Sequence, residues 1–419
     1  MDHFQRRCGE LWCEDVPLKA IAAEAGTPVY VYSTATMVRH AEVMKAALAG
    51  LDDPLIAYAV KANSNAAVLA TLARAGLGAD VVSIGEYRRA RSAGMAAERI
   101  VFSGVGKTEE EMAEALAGGL LQFNLESIEE ARTLSAIASA AGRAAPVGFR
   151  INPDVAAGTH AKITTGTADN KFGIAGGEVL AAYAEAARLP GLNITGITVH
   201  IGSQLISLEP FETAFTRLGE LIAALRSAGH AITLADLGGG LGVPHGPGQP
   251  EPPSPDEYGA MVRRVTRDWG VRLVFEPGRL IVANAGVLLA RVVRIKPGAR
   301  HPWVIVDAAM NDLMRPALYD AWHEIEAVER RERGMTANVV GPVCESGDTF
   351  ATGRPMDSVE PGDLVVFRTA GAYGAAMSSG YNSRPLTAEV LVDGDRWALV
   401  RRRVDLHELA ACPLPEWLA

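Results

Sequence analysis

The amino-acid sequence predicts an α/β protein: a (β/α)8 TIM barrel followed by a C-terminal antiparallel β domain that the N-terminal segment joins. Eight short apolar runs alternate with helical patterns between residues 55 and 276, the order that builds a parallel sheet covered by helices. After residue 287, strand-like runs follow one another with turn signals and little helix between them, which is typical of antiparallel sheet. The chain of 419 residues is too long for one ordinary domain, so two domains are expected.

The eight apolar runs have the length of single strands. In chain order they are residues 55–62, 78–83, 100–104, 121–125, 147–152, 196–202, 233–238 and 272–276. Thr108 with Glu111, and Ser127 with Glu130, are capping-box signatures that start two of the intervening helices. A Pro/Gly-rich loop over residues 243–255 lies within the series. Eight units in this span favour a closed barrel, although periodicity alone leaves an open doubly wound sheet as an alternative.

The second domain is predicted from short strands separated by turn signals. The strand-like runs after the barrel are residues 287–296, 303–307, 339–344, 364–369 and 388–392. Residues 29–32 are also strand-like and lie outside the eightfold series, so they are expected to join this domain. The predicted domains are therefore a barrel over residues 35–280 and a β domain formed by residues 1–34 and 281–419.

Composition and charge exclude several classes of function. Forty Lys and Arg against 49 Asp and Glu give a net charge of −9, which argues against a general nucleic-acid surface. No signal peptide or membrane span is expected, no CxxC or HExxH spacing suggests a metal site, and four cysteines do not suggest a disulfide scaffold. A soluble cytoplasmic protein is expected. Cys8, Cys13 and Cys412 have no assigned role.

Reactive side chains gather at the ends of the predicted strands, where barrels of this kind carry their function. These residues are Lys61, Asp80, Ser83, Ser103, Asn124, Arg150, Asn152, His200, Gly238, Gly239, Gly240 and Glu276. Lys61 is either a solvated strand cap or a partly desolvated amine able to form a Schiff base with an aldehyde. The glycine triplet is either a tight turn or a phosphate loop. Together they are the parts that a pyridoxal phosphate site needs.

The remaining candidates also have two interpretations each. His200 is either a structural histidine or a flat ring that stacks on a cofactor, and Glu276 is either a surface carboxylate or the partner of a pyridine nitrogen. Cys344 is either a buried, inert thiol or an exposed one beside Glu345. Arg315, close to Tyr319, has the guanidinium geometry that binds a carboxylate.

Seven motifs resemble those of the diaminopimelate decarboxylases, which belong to the fold-type III, alanine-racemase-like group of pyridoxal-phosphate enzymes. The motifs are Tyr-Ala-Val-Lys-Ala-Asn (58–63), His-Ile-Gly-Ser-Gln (200–204), Gly-Gly-Gly (238–240), Glu-Pro-Gly-Arg (276–279), Met-Arg-Pro-Ala-Leu-Tyr (314–319), Cys-Glu-Ser-Gly-Asp (344–348) and Ala-Gly-Ala-Tyr-Gly (370–374). They stand in the family's order and extend the resemblance over residues 27–392.

The resemblance implies a role for each candidate residue. Lys61 would bind the cofactor aldehyde, Glu276 would face the ring nitrogen, His200 would stack on the ring, and Cys344 would be the proton donor. The cofactor-binding set implied is Lys61, His200, Ser203, Gly238, Gly239, Gly240, Glu276, Pro277, Gly278, Arg279 and Tyr373. The substrate-binding set implied is Arg279, Arg315, Tyr319, Glu345 and Tyr373. In this family Cys344 and Glu345 would come from the partner subunit, which implies a homodimer with shared sites.

The activity implied is decarboxylation of meso-2,6-diaminopimelate at its D centre, giving L-lysine and carbon dioxide as the last step of lysine biosynthesis. Alternatives within the group are ornithine/arginine-type and carboxynorspermidine decarboxylases, or a paralogue that acts on a modified amino acid. Alanine racemases share the barrel, but Cys344 argues against that class. A non-catalytic binding homologue is the alternative outside enzymes. Residues 153–171 resemble the mobile lid of the family.

Overall fold

A computed structural model describes residues 2–155, 170–246, 248, 250–331, 333–405 and 415–418. The chain forms two compact units. The β unit comprises Met1–Thr36, His245–Pro247 and Ala283–Ala419, and the barrel unit comprises Met37–Pro244 and Gly248–Val282. His245 and Gly246, in the loop predicted over residues 243–255, group with the β unit.

The chain begins with short elements. They are β1 (Phe4–Arg7), β2 (Glu10–Cys13), β3 (Val16–Pro17), α1 (Leu18–Ala25), β4 (Val29–Ser33) and α2 (Thr34–Ala47). Strands β1 to β3 form a small antiparallel sheet of their own.

The barrel unit alternates strands and helices. Its elements are β5 (Leu55–Ala59), α3 (Ala66–Arg74), β6 (Gly78–Val81), α4 (Ile84–Ser92), β7 (Ile100–Phe102), α5 (Glu109–Gly118), β8 (Gln122–Leu125), α6 (Ile128–Ala140), β9 (Ala145–Asn152), β10 (Ile174–Ala175), α7 (Val179–Ala186), β11 (Leu192–Val199), α8 (Glu209–Ser227), β12 (Leu234–Asp236), α9 (Pro255–Thr266), β13 (Arg272–Phe275) and α10 (Arg279–Val282).

The parallel sheet closes on itself. Each strand from β5 to β8 pairs with the next, β8 pairs with β9, and β11, β12 and β13 continue the series back to β5. The two-residue strand β10 adds to β9. The closed eight-strand barrel predicted from the sequence is confirmed, and the open sheet is excluded.

Helix capping agrees with the prediction at one site and differs at another. Thr108 and Glu111 form the predicted capping box at the start of α5. At α6 the Ser127 hydroxyl accepts the Glu130 N–H, but the Glu130 carboxylate does not complete the box. The Glu130 carboxylate instead accepts hydrogen bonds from the Glu126 N–H at 2.7 Å and from Lys107 Nζ at 2.6 Å. The predicted capping box at Ser127 is wrong because the buried ammonium of Lys107 attracts that carboxylate.

The β unit continues after the barrel. Its later elements are β14 (Gly286–Lys296), β15 (Trp303–Val306), α11 (Arg315–Tyr319), β16 (Ile325–Ala327), β17 (Gly334–Val340), β18 (Thr349–Asp357), β19 (Leu364–Phe367), β20 (Ala388–Asp393) and β21 (Arg396–Arg401). The main path of the sheet is β18-β17-β15-β14-β4-β20-β21, and β19 pairs with β14 and β16.

The N-terminal strand β4 lies inside this sheet, antiparallel to β14 and parallel to β20, which confirms that the N-terminal segment joins the second domain. Most pairs are antiparallel as predicted, but β15 and β17 are parallel like β4 and β20. The fully buried side chains of Leu11, Val31 and Leu289 belong to the core of this unit. In the ranges of the chain that the structure describes, no helix combines the length and the apolar character needed to cross a membrane.

Candidate active site

Lys61 lies at the end of β5, in a single turn of 3-10 helix over Val60–Ala62. Its Nζ donates to Asp80 Oδ2 at 2.7 Å, and Asp80 is fully buried in β6. The other oxygen, Asp80 Oδ1, is buried without a hydrogen-bond partner among the described residues. The side chain of Lys61 remains 37% exposed. A buried carboxylate thus holds an accessible amine at the barrel end, which a simple solvated cap does not require.

The glycine triplet follows β12 and leaves no room for side chains. Gly238 and Gly240 have φ values of +65° and +116°, in the region that favours glycine. A Cβ on Gly239 would lie 2.1 Å from the carbonyl oxygen of Glu276, and one on Gly240 would lie 2.4 Å from that of Gly202. Backbone atoms therefore line this part of the barrel end, as a phosphate-binding loop requires.

The substitution Gly239→Ala tests this packing. We expect the free energy of unfolding to fall by about 3 kcal/mol, because the new methyl group meets backbone that cannot move aside. Gly177→Ala is the control, since a Cβ there has no neighbour within 4 Å; we expect a change within about 0.5 kcal/mol. Urea denaturation of both variants measures the difference, and equal stabilities would contradict the close approach.

His200 follows β11 and contacts the glycine loop. Its Nδ1 accepts the Gly239 N–H at 3.2 Å. Burial lowers the pKa of His200 well below its ordinary value, and the charges of Arg150 and Lys61 lower it further. Arg150 also donates to the carbonyl oxygen of His200 at 3.3 Å and pairs with Glu126 at 3.2 Å. The imidazole is therefore neutral and fixed, and its flat face is suited to stacking.

Glu276 follows β13 and shares the barrel interior with Asp236. Burial raises the pKa of Glu276 well above its ordinary value, and the charges of Asp236 and Asp80 raise it further. Burial also raises the pKa of Asp236 to about 6. Asn124 Nδ2 donates to Asp236 Oδ2 at 2.9 Å and lies 3.4 Å from Glu276 Oε1. Burial and the neighbouring carboxylates therefore favour the protonated form of the Glu276 carboxyl.

The raised pKa of Asp236 predicts a pH-dependent loss of stability. The folded protein binds the Asp236 proton more tightly than the unfolded chain does. The resulting contribution to the free energy of unfolding is therefore present below about pH 4 and is lost as the pH rises through about 6. Between pH 4 and pH 7 we expect the free energy of unfolding of the cofactor-free wild type to fall by about 3 kcal/mol more than that of Asp236→Asn, whose side chain cannot ionise. Urea denaturation at both pH values measures this difference. Parallel pH profiles for the two proteins would show the shift to be absent.

Arg279 and Ser203 provide polar groups beside the glycine loop. Arg279 is buried at the start of α10, and its Nη2 donates to Ser203 Oγ at 3.0 Å. The residues before it, Pro277 and Gly278, link it to Glu276, and the carbonyl oxygen of Pro277 accepts the Ala59 N–H at 3.2 Å. An arginine fork with a hydroxyl group beside a side-chain-free loop suits a phosphate.

The barrel end as a whole fits pyridoxal phosphate. The amine of Lys61 suits its aldehyde, the His200 face its ring, and the Glu276 carboxyl its ring nitrogen. The side-chain-free cradle of residues 238–240, with Ser203 and Arg279, suits its phosphate. All of these residues belong to the barrel unit.

The other five predicted site residues lie in the β unit. Arg315 and Tyr319 stand at the two ends of α11, four residues apart and so on one face. Arg315 is buried. Tyr373 has a φ of +55°, which is uncommon for a residue with a side chain and often marks a functional position.

Cys344 and Glu345 lie on an ordered, exposed loop. The buried carboxylate of Asp348 organises it by accepting the Val343 and Met310 N–H groups, each at 2.7 Å. The Cys344 N–H donates to Asn382 Oδ1 at 3.0 Å. The Cys344 thiol is free and exposed, which agrees with the exposed interpretation rather than the buried one.

Some site residues could not be assigned from the sequence. Asp80 and Asn124 stand at strand ends, but no role could be predicted for them. Asp236 and Glu126 are not predicted as site residues at all. The signal for Asp236 is a single carboxylate inside an apolar run, Leu-Ala-Asp-Leu. Residues 156–169, the main part of the predicted lid, and Cys412 lie outside the described residues.

Comparison with known proteins shows which family this chain resembles. Residues 34–283 match the family described as pyridoxal-dependent decarboxylase, pyridoxal binding domain. The diaminopimelate decarboxylase of Zymomonas mobilis is 55% identical over 408 residues, 97% of each chain. The structure of the M. jannaschii diaminopimelate decarboxylase in co-complex with L-lysine has a TM-score of 0.94 at 34% identity, covering 100% of this chain and 99% of that one. The Helicobacter pylori diaminopimelate decarboxylase, complexed with L-lysine, has a TM-score of 0.90 at 38% identity, covering 94% and 98%.

Proposed function

The chain belongs to the diaminopimelate decarboxylase family of pyridoxal-dependent enzymes, and from that premise we propose that it converts meso-2,6-diaminopimelate to L-lysine and carbon dioxide. Decarboxylation takes place at the D centre, as the last step of lysine biosynthesis. The observation that carries the proposal is the barrel end itself, where an amine held by Asp80, a buried Glu276 carboxyl and a glycine cradle lie together.

Each group at the barrel end has a task in this reaction. Pyridoxal phosphate supplies, when bound, an electron-withdrawing ring that accepts the electron pair left by carbon dioxide. Lys61 would hold its aldehyde carbon and later take the product's place there. Glu276 would hold a proton at the ring nitrogen, and neutral His200 would cover one face and exclude water. Ser203, Arg279 and the glycine loop would hold the phosphate.

The β unit would supply most of the substrate-binding residues and the proton donor. Arg315, with Arg279, Tyr319 and Tyr373, would bind the substrate, whose distal end carries both a carboxylate and an ammonium group. Glu345 would bind that ammonium group. The Cys344 thiol would donate a proton to the carbon from which the carboxylate has left.

We further propose a cytoplasmic homodimer in which each Cys344 and Glu345 serves the partner's site. The loop that carries them supports this arrangement, because Asp348 fixes its backbone while the thiol and the carboxylate stay exposed at the surface. The free thiols of Cys8 and Cys13 fit a reducing compartment.

The test is product analysis with purified protein and added pyridoxal phosphate. We expect meso-diaminopimelate to yield carbon dioxide and L-lysine in equal amounts, whereas the LL isomer, which has no D centre, stays unreacted. Ornithine, arginine and carboxynorspermidine are the comparison substrates. Preferential turnover of one of them would assign the enzyme to a different branch of the group, and no turnover of any amino acid would indicate a binding homologue.

A further inference from the structure

We propose that His323 is a positioning residue that fixes the Arg315 guanidinium for the distal carboxylate of the substrate; this rests on the proposed function and on the role proposed there for Arg315. Arg315 opens α11, and His323 lies in the segment between α11 and β16. Their side chains are buried, with 6% and 1% of each residue exposed. No role for His323 could be predicted from the sequence motifs.

The partners of the two ring nitrogens define the state of the imidazole. Nδ1 lies 2.8 Å from the carbonyl oxygen of Arg368, which can only accept, so Nδ1 carries the proton. Nε2 lies 3.4 Å from Arg315 Nη1, which can only donate, so Nε2 presents its lone pair. The neutral ring therefore orients the guanidinium without neutralising its charge. A carboxylate in its place would compete with the carboxylate of the substrate.

His323 is held at its backbone and at its ring. The backbone carbonyl oxygen of His323 accepts a hydrogen bond from Arg354 Nη1 at 2.8 Å, and the Arg354 guanidinium lies 4.5 Å from the ring centre of Trp322. The ring of His245 packs against the His323 ring at 6.0 Å, nearly perpendicular to it. A fixed Nε2 selects one direction for the long and otherwise flexible Arg315 side chain, so less freedom is lost when substrate binds.

The same segment also holds the backbone of Arg315. Asp320 ends α11 in the left-handed region, with a φ of 52°, and its N–H donates to the Arg315 carbonyl oxygen. The Ala321 N–H lies 3.3 Å from that oxygen. Residues 320–323 therefore restrain Arg315 at both its backbone and its guanidinium, which is what a substrate-binding arginine on a five-residue helix needs.

Two substitutions of His323 separate its two hydrogen bonds. His323→Asn keeps a donor for the Arg368 carbonyl and removes the acceptor facing Arg315, whereas His323→Gln keeps an acceptor at that position. On the holoenzyme we expect His323→Asn to raise KM for meso-diaminopimelate about tenfold with kcat within about twofold, and His323→Gln to raise KM less than about threefold. The dissociation constant of L-lysine, measured by calorimetry, rises in parallel. His301→Asn, in the turn before β15, is the control, and we expect it to leave KM and the dissociation constant of L-lysine unchanged.

A double-mutant cycle with Arg315→Lys decides whether His323 acts through Arg315. We expect the two effects on KM to be non-additive. If His323→Asn does not fold, His323→Phe keeps the ring volume and replaces it in the cycle. Additive effects on KM, or an unchanged KM in His323→Asn or His323→Phe, would overturn this inference. The proposed function would still stand if the wild type converts meso-diaminopimelate to lysine. If the wild type forms no lysine from meso-diaminopimelate, the proposed function fails and the inference falls with it.

Discussion

Replacing Lys61 by alanine lowers kcat for lysine formation by at least about 10⁴-fold, the order of loss seen when an enzyme loses its attacking group. The Lys61 amine lies beside Asp80, and the carboxyl, imidazole, amide, hydroxyl and guanidinium groups described at the same barrel end do not form a Schiff base with an aldehyde. Absorbance spectroscopy with added pyridoxal phosphate measures the loss of the covalent bond to the cofactor, and a lysine-formation assay measures the loss of activity.

Lys61→Arg separates the charge of the side chain from its nucleophilicity. A guanidinium can keep the ion pair with Asp80 but stays protonated and cannot attack, so we expect this variant to be as inactive as Lys61→Ala. Lys45→Ala removes an exposed lysine that pairs with Glu42 and is the control with wild-type activity. Substantial activity in either Lys61 variant would exclude a covalent role for this residue.

Cys344→Ala lowers kcat by about 10²- to 10⁴-fold, the usual contribution of a positioned acid. The absorbance of bound cofactor stays unchanged, because the substituted thiol belongs to the β unit and not to the cofactor cradle. Cys8→Ala removes another exposed thiol of the same unit and is expected to behave like the wild type.

Mixing the two inactive variants tests whether the sites are shared. If Cys344 serves the partner's barrel, a mixed dimer of Lys61→Ala and Cys344→Ala subunits has one intact site, and random exchange restores about a quarter of the wild-type activity. If each subunit uses its own Cys344, no mixture regains activity. The mixture is refolded together and assayed for lysine, with each variant refolded alone as the control.

The barrel could be predicted because its strands are buried on both faces, as the unbroken burial of β5, β6 and β8 shows. Shorter or interrupted strands could not. Strands β1 to β3 have four residues or fewer, too few for a period to show. Strand β18 contains Gly353 and Pro355, which normally argue against a strand.

The site could be predicted where a reactive residue ends an apolar run, as Lys61, His200 and Glu276 do. Pairings across the barrel could not, because they depend on register. Asp80 reaches Lys61 because β5 and β6 pair with Ala59 opposite Asp80. Asp236 binds Asn124, which is 112 positions away in the chain, and nothing in the local pattern of either residue indicates this contact.

Borohydride reduction of the protein loaded with pyridoxal phosphate, followed by mass mapping of its peptides, tests whether Lys61 binds the cofactor covalently. Reduction makes a covalent bond between the cofactor and its lysine permanent. We expect one modified peptide, containing Lys61, and loss of that modification when meso-diaminopimelate is added before reduction, because the substrate amine would displace Lys61. A cofactor attached to any other lysine, or a Lys61 peptide that remains unmodified in the loaded protein, would contradict this expectation.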